Sequence, residues 1–296
     1  MNGQGAAPSP AATYRRGRFL RWRWRRVRNL VLRIWRHPAN SGHRLRAYGR
    51  TFHFYFSGFV LRRPIQVPVG RHTKMWADRK FACSFEFVVG NPPDWNEMQA
   101  WKRVLGPTSL FVDVGANVGT YSLWAADLES KVIAVEPALD ALQALRRNVE
   151  LNGIELEVVP AALAGKPGTM RLTESLATRN HLIPEGGTGG IEVEVRTLDS
   201  VLGRRTADGL KIDVEGAEHM VLDGAHVALT EGRLPVIQLE WNVMADKVYS
   251  DSRERLARTL AGYGYKFYRP DGEGTLQSAD IQVSRKDLFA VLERPT

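Results

Sequence analysis

Residues 111–122 read FVDVGANVGTYS, and this stretch decides the fold. An apolar run over 109–114 meets small residues at Gly115, Ala116, Asn117 and Gly119, and Tyr121, Leu123, Trp124 and Ala125 then take up helical character. The pattern predicts a buried strand, a tight loop and a helix start. Glycines in such a loop let backbone approach a ligand, and the helix N-terminus presents unpaired N–H groups. In open α/β sheets the ligand sits at the C-terminal end of a strand of this kind. The stretch therefore predicts a site for a nucleotide-like cofactor.

Downstream, strand and helix alternate. Residues 131–135 read as a second buried strand ending in Glu136 and Pro137, 138–151 as a helix closed by Asn152 and Gly153, and 156–160 as a third strand. Between 165 and 197 the rhythm lapses into Gly-rich alternating segments, 169–174 and 191–196, which read as an antiparallel insertion. It returns with a strand at 209–214, a helix at 217–229, a strand at 235–240, a helix at 253–262 and a closing pair, 265–268 with 288–292. Repeated units of this kind predict an α/β fold: a doubly wound, mostly parallel, Rossmann-like sheet with an antiparallel closing strand and a small β insertion.

Upstream the chain changes character. Residues 1–13, rich in Ala, Pro, Gly and Ser, read as a disordered leader. Over 14–40 the spacing of Leu20, Trp24, Val27, Val31 and Ile34, with arginines mostly off that stripe, predicts a basic amphipathic helix. Residues 41–94 alternate aromatic and polar side chains at 51–56 and 81–89 between Pro and Gly breaks, which predicts a small β-rich cap. Residues 95–105 read as a helix opening the main domain, 95–296.

The net charge of +9 is unevenly distributed. Asp78 is the first acidic residue, so residues 1–77 carry 17 Lys and Arg uncompensated and the remainder of the chain is at −8. The high overall pI reflects the arm rather than the site. The arm is too short in apolar residues and too interrupted by arginine to span a bilayer. With Trp22, Trp24 and Trp35 beside the arginines, an anionic membrane surface is its favoured partner through residues 14–36, with an acidic partner or nucleic acid as alternative. Cys83 is the only cysteine, which rules out an intrachain disulfide and fits a reducing, cytoplasmic setting.

Glu136 narrows the cofactor. It ends the second strand 17 residues past Gly119, where a carboxylate can accept both hydroxyls of a ribose and would repel a 2′-phosphate. NAD and an adenosyl cofactor both satisfy this. The loop, Asp113-x-Gly115-x-Asn117-x-Gly119, departs from the dinucleotide pattern by placing an acid before the first glycine. That acid would oppose a pyrophosphate and suits an aminoacyl cofactor with a free ammonium.

Four segments together, DVGANVGTYS at 113–122, AVEP at 134–137, RTLDSVL at 196–202 and KIDVEGAEHMVLDGA at 211–225, resemble the FkbM family of S-adenosylmethionine-dependent methyltransferases. The first is shared by many methyltransferases; KIDVEGAE after TLDS is the specific part. The resemblance covers residues 95–292 and implies a class I methyltransferase fold that transfers methyl groups to hydroxyls of sugars or natural products. It implies cofactor contacts from Asp113, Gly115, Ala116, Asn117, Gly119 and Tyr121, from Glu136 and Pro137 at the ribose, from Ala162 near the adenine, and from Asp213.

The segment 211–218 places Asp213, Glu215 and Glu218 at the rim of the fourth strand. Methyl transfer to an alcohol requires alignment of oxygen, carbon and sulfur and is helped by a carboxylate shielded from water. Asp213 and Glu215 are the leading catalytic candidates, with Glu240 at the end of the fifth strand and His181 in the insertion as a mobile base; Glu218 and His219 rank below them, and capping accounts for Glu218. Oxygen ligands from Asp213, Glu215 and Glu240 would suit a divalent metal, which is not part of the expectation. The reading is a methyltransferase for a hydroxyl of a saccharide, glycolipid or natural-product-like metabolite. The alternatives are an RNA or nucleic-acid methyltransferase using the basic arm and a non-catalytic adenosyl-cofactor-binding module.

Overall fold

The computed structural model describes residues 24–173, 182–183, 188–241, 252–282, 284 and 287–293. The leader and the first part of the arm, 1–23, lie outside them. Residues 24–36 form helix α1, and a 3₁₀ turn at Pro38–Asn40 leads to α2 (Arg44–Phe56), which widens into a π-helical turn at Ser57–Leu61. Strands β1 (Ile65–Pro68) and β2 (Lys74–Ala77) pair antiparallel, and α3 (Ala82–Val89) and α4 (Trp95–Val104) follow.

The expected β-rich cap is therefore mostly helical. Residues 51–56 and 81–89, read as strands from alternating aromatics, belong to α2 and α3. The pattern satisfies both periods, and burial chooses between them: Ala47, Thr51 and Phe54 form one helical stripe, and Phe54 packs on Phe85 at a ring separation of 5.1 Å. Of the helix expected over 14–40, residues 24–36 are helical and 14–23 lie outside the described residues; its stripe does not face inward as a unit, since Ile34 is buried while Trp24, Val27 and Val31 are exposed. No helix among the described residues is long and apolar enough to cross a membrane.

The main domain continues as β3 (Leu110–Val114), α5 (Thr120–Asp127), β4 (Lys131–Val135), α6 (Leu139–Asn152), β5 (Glu157–Val159), β6 (Ala162–Leu163), β7 (Gly168–Leu172), β8 (Ile191–Arg196) and α7 (Leu198–Leu202). Then come β9 (Gly209–Ile212), α8 (Glu218–Asp223), α9 (His226–Thr230), β10 (Val236–Leu239), α10 (Ser252–Gly262), β11 (Tyr265–Pro270), β12 (Leu276–Ser278) and β13 (Leu288–Leu292). The helix read over 217–229 breaks into α8 and α9 at Gly224, where a Cβ would come within 2.4 Å of the Ala164 carbonyl oxygen.

Eight strands form the central sheet in the order β12-β11-β13-β10-β9-β3-β4-β5. β5, β4, β3, β9 and β10 run parallel, and β13 inserts antiparallel between β10 and β11. The central strands are near-continuous apolar runs because both faces are covered. Successive residues enter opposite cores: Phe111 joins Trp101 and Phe289 on one side, Val112 joins Leu210 and Leu239 on the other. The strand order reverses between β3 and β9, and ligands of doubly wound sheets bind at such a crevice. The insertion forms its own three-stranded sheet, β6-β8-β7, with β7 and β8 antiparallel as expected.

The hairpin is clamped to the domain by side chains. Asp127 accepts the backbone N–H groups of Arg71 (2.8 Å), His72 (2.6 Å) and Thr73 (2.8 Å), while Asn148 and Asn152 of α6 bond the Trp76 and Lys74 backbone. An edge strand is thus closed by amide side chains.

Candidate active site

The pocket opens at the C-terminal ends of β3, β4 and β9 and holds about 630 Å³ of empty space, open solvent at its mouth included. Gly115, Asn117, Glu136, Pro137, Ala162, Asp213 and Glu215 line it, so seven of the expected residues converge there.

The loop is shaped by its neighbours as much as by any ligand. The N–H groups of Gly115 and Ala116 both donate to the Val135 carbonyl at 3.0 Å, drawing the loop across β4. Gly115 has φ +79°, and a Cβ there would stand 1.9 Å from the Asp213 carbonyl oxygen. Gly119 leaves room for Leu145. The smallness of these positions comes from chain packing, a reason the sequence reading did not include.

Glu136 is buried and tied to that loop: Oε2 accepts the Asn117 N–H at 2.8 Å and Oε1 the Ala138 N–H at 2.7 Å. Burial pushes its carboxyl up to about 7 against these donors. Each oxygen retains a lone pair for a ligand hydroxyl. Asn117 holds φ +52°, and its Oδ1 accepts the Cys83 thiol at 3.5 Å, which joins α3 to the loop. Burial pushes the Cys83 thiol up to about 12, so it is an inert donor rather than a nucleophile.

Four expected cofactor contacts do not line the pocket; one is Gly119, at the N-cap of α5 against Leu145. Asp113 is buried beneath the loop, where Oδ2 accepts Ser122 Oγ–H at 2.6 Å and Oδ1 has no hydrogen-bond partner among the described residues. Tyr121 points away: its hydroxyl donates to Asp94 at 3.0 Å and accepts from Gln238 Nε2 at 3.3 Å. Ala116 is buried beside Ala134 and Leu145. The strand and helix periods send Asp113 and Tyr121 into the domain, and Ala116 of the loop packs inward as well, away from the pocket.

At the other wall Asp213, Glu215 and Glu240 bring one carboxylate oxygen each within 4.8 Å of one another. Glu215 sits at φ +54°, a conformation costly for a side chain of its size and found where a site over-determines it. Burial, then Asp213, Glu215 and Glu218, push the Glu240 carboxyl up to about 9. Glu218 is buried and its Oε1 accepts the N–H groups of Gly216 (3.0 Å) and Val214 (3.2 Å), so it closes its own loop, in keeping with the capping account. His181 lies outside the described residues.

Lys211 is the residue that sequence reasoning missed. Its Nζ lies 2.7 Å from Asp213 Oδ2 and 4.6 Å from the Tyr121 ring centre, in a side chain that is almost wholly buried. Asp213 and Asp113 hold its ammonium charged against burial, above the ordinary lysine value. The signal was present: on a strand, 211 and 213 share a face. Ala161 and Ala162 line the apolar wall where the resemblance places the adenine, whereas Ala138, Ala141, Leu172 and Leu182 of the same wall were missed, because alanines and insertion leucines give no pattern.

The methyltransferase FkbM domain model matches residues 113–267, more than half of the chain and all the segments that build the pocket. The chain belongs to the FkbM methyltransferase family. Methyltransferase sdnD of Sordaria araneosa is 31% identical over 158 residues, which cover 40% of this chain and 61% of that protein. The chain thus spans less than two thirds of the curated relative it matches. The crystal structure of methyltransferase FkbM from Methylobacillus flagellatus overlaps at a TM-score of 0.43 and 15% identity, covering 71% of this chain and 52% of the other. An S-adenosylmethionine-dependent O-methyltransferase from Thermotoga maritima overlaps at 0.40 and 13%, covering 69% and 67%. The strand order described above carries the class I assignment of this FkbM chain by itself.

The donor set fits an adenosyl sulfonium cofactor. Small apolar side chains wall one end, Glu136 stands in the middle with free lone pairs, and the carboxylates of Asp213 and Glu215 face the other end, where a cation is the complementary charge.

Proposed function

We propose that this FkbM-family chain is an S-adenosylmethionine-dependent O-methyltransferase acting on a hydroxyl of a saccharide, glycolipid or natural-product-like metabolite. The observation that carries the reading is the carboxylate group Asp213, Glu215 and Glu240 on the rim beside the Glu136 pocket. The cofactor, when bound, supplies a methyl group activated on a sulfonium.

The chain's own residues bind, orient and move a proton. Glu136 takes the ribose hydroxyls, and Ala138, Ala141 and Ala162 exclude water from the adenine end. Lys211 pairs with Asp213 and holds its carboxylate in place, which fixes one wall of the acceptor site. Glu240 holds its proton at neutral pH, so it orients an acceptor hydroxyl as a donor. Glu215 is then the carboxylate left to accept the hydroxyl proton as the new C–O bond forms.

Calorimetric titration with S-adenosylmethionine, S-adenosylhomocysteine and NAD tests the cofactor. Micromolar binding of the adenosyl ligands, at least tenfold weaker in Glu136→Ala, is expected; binding of NAD in their place would overturn the reading. Methyl transfer from labelled cofactor to a panel of sugar and glycolipid hydroxyls, with RNA as comparison, tests the acceptor. Labelling of RNA alone would move the chain to the nucleic-acid reading.

A further inference from the structure

Helix α2 has two apolar faces. One, Ala47, Thr51 and Phe54, packs on α3. The other carries Leu45, Phe52 and Phe56 at helical spacing and continues into Phe59, Val60 and Leu61 of the π-helical turn, all turned to solvent. Leu45 is 86% exposed, Phe52 72% and Val60 62%. A surface helix ordinarily presents polar residues there.

Helix α1 adds to this surface. Trp24, Val27, Val31 and Trp35 recur at spacings of three and four residues and are exposed, as is Leu32. The two helices are joined: Tyr48 of α2 donates its hydroxyl to the Val31 carbonyl at 3.1 Å, Arg44 donates to the Trp35 carbonyl at 3.2 Å, and its guanidinium lies 4.0 Å from the Trp35 ring centre.

The charge carried by α1, α2 and the turn has one sign, with Glu86 of α3 paired to Arg33 and Asp78 beside Arg62 and Arg63 at its border. Arg25, Arg28, Arg36, Arg46, Arg62 and Arg63 are exposed, and no Asp or Glu occurs before Asp78. A second copy of the same face would set cation against cation. Nucleic acid complements the arginines and some of the rings, but gives no return for exposing Leu45, Val27, Val31, Leu32, Val60 and Leu61. An anionic bilayer complements both, because acyl chains take the apolar side chains and headgroups take the arginines.

We infer that α1, α2 and the turn at Ser57–Leu61 form a docking surface for an anionic lipid bilayer. This extends the contact well beyond the arginine arm into the folded cap. The surface is one helix away from the pocket: Phe85 of α3 packs on Phe54 and Tyr55, and Cys83 of the same helix bonds Asn117 of the glycine loop. Docking therefore sets the distance of the pocket from the headgroups. The inference does not depend on the methyl-transfer reading.

The full chain is sedimented with vesicles of phosphatidylcholine alone and of phosphatidylcholine with phosphatidylglycerol. Binding only to the anionic vesicles, weakened by salt, is expected, and Phe52→Ser/Phe56→Ser/Val60→Ser is expected to lower the partition coefficient by at least about tenfold. Arg62→Glu/Arg63→Glu provides a second variant that alters charge and no packing, and thermal unfolding confirms that both variants fold. Equal binding by wild type and the serine variant would overturn the inference. So would salt-dependent binding of RNA with none to vesicles, or loss of a dimer in the serine variant with no vesicle binding by the wild type.

Discussion

Lys211 of β9 holds Asp213, just past the strand end, with the buried ammonium 2.7 Å from the rim carboxylate. This cation also faces buried Asp113 together with Asp94 and Asp287, three carboxyls pushed up by desolvation and pulled back by Lys211. Lys211→Met removes the charge and leaves the carboxylates facing one another. Removing one partner of a fully buried pair costs about 3–5 kcal/mol, and because the Asp213 side chain is 40% exposed the loss here falls towards about 2 kcal/mol. Urea unfolding at pH 8 should show a loss of that order, and at pH 5 a smaller one, because the carboxyls then take up protons. An equal loss at both pH values would mean that the lysine acts through packing alone.

Glu136 of the pocket and three further carboxyls set an unusual pH dependence. Glu136 and Glu218 are raised from 4.5 to about 7, Asp287 from 3.8 to about 7, and Glu240 from 4.5 to about 9, each chiefly by burial. These groups hold protons more tightly folded than unfolded, so unfolding releases protons and stability falls as pH rises from about 4.5 through 7 and on towards 9. Glu240→Gln removes one such group without changing its shape. Thermal scans should show the variant more stable than wild type at pH 8, by about 1–2 kcal/mol or roughly 2–4 °C, and level with it at pH 5.

Gly115 and Gly153 both have positive φ but differ in surroundings. A Cβ at Gly153 meets open space, whereas at Gly115 it meets the Asp213 carbonyl at 1.9 Å. Gly153→Ala should cost about 1–2 kcal/mol, the left-handed penalty alone. Gly115→Ala should cost roughly 3 kcal/mol or more and reduce cofactor binding, since relief requires β3 and β9 to separate at the pocket. Denaturant midpoints for the pair separate the two causes.

Asp127 holds the hairpin turn by three backbone N–H groups, and these donors keep its carboxyl below the ordinary value. Its depressed value makes the stabilisation present at neutral pH and lost as pH falls below about 4. Because the carboxylate is partly exposed, Asp127→Ala should cost about 1–2 kcal/mol. Hydrogen exchange at Arg71, His72 and Thr73 should rise in the variant while β3 and β4 amides keep their protection.

The sequence by itself determined the elements whose signals are local. The strand at Lys131–Val135 appears with the bounds read for it, the 138–151 helix differs by one residue at each end, and its stop is Gly153 in the left-handed conformation a C-cap uses. The loop at 115–119, the acid after β4 and the carboxylates after β9 were legible for the same reason: an apolar run followed by small or acidic residues marks a strand end without knowledge of its neighbours. Tertiary structure decided what depends on a partner distant in the chain. It made helices of 51–56 and 81–89, because Phe54 and Phe85 bury each other; it turned Asp113 and Tyr121 away from the pocket, because Ser122, Asp94 and Gln238 hold them there. It also left Trp24, Val31, Phe52 and Val60 facing solvent, since periodicity marks an apolar stripe but only the packed neighbours say which stripe is covered.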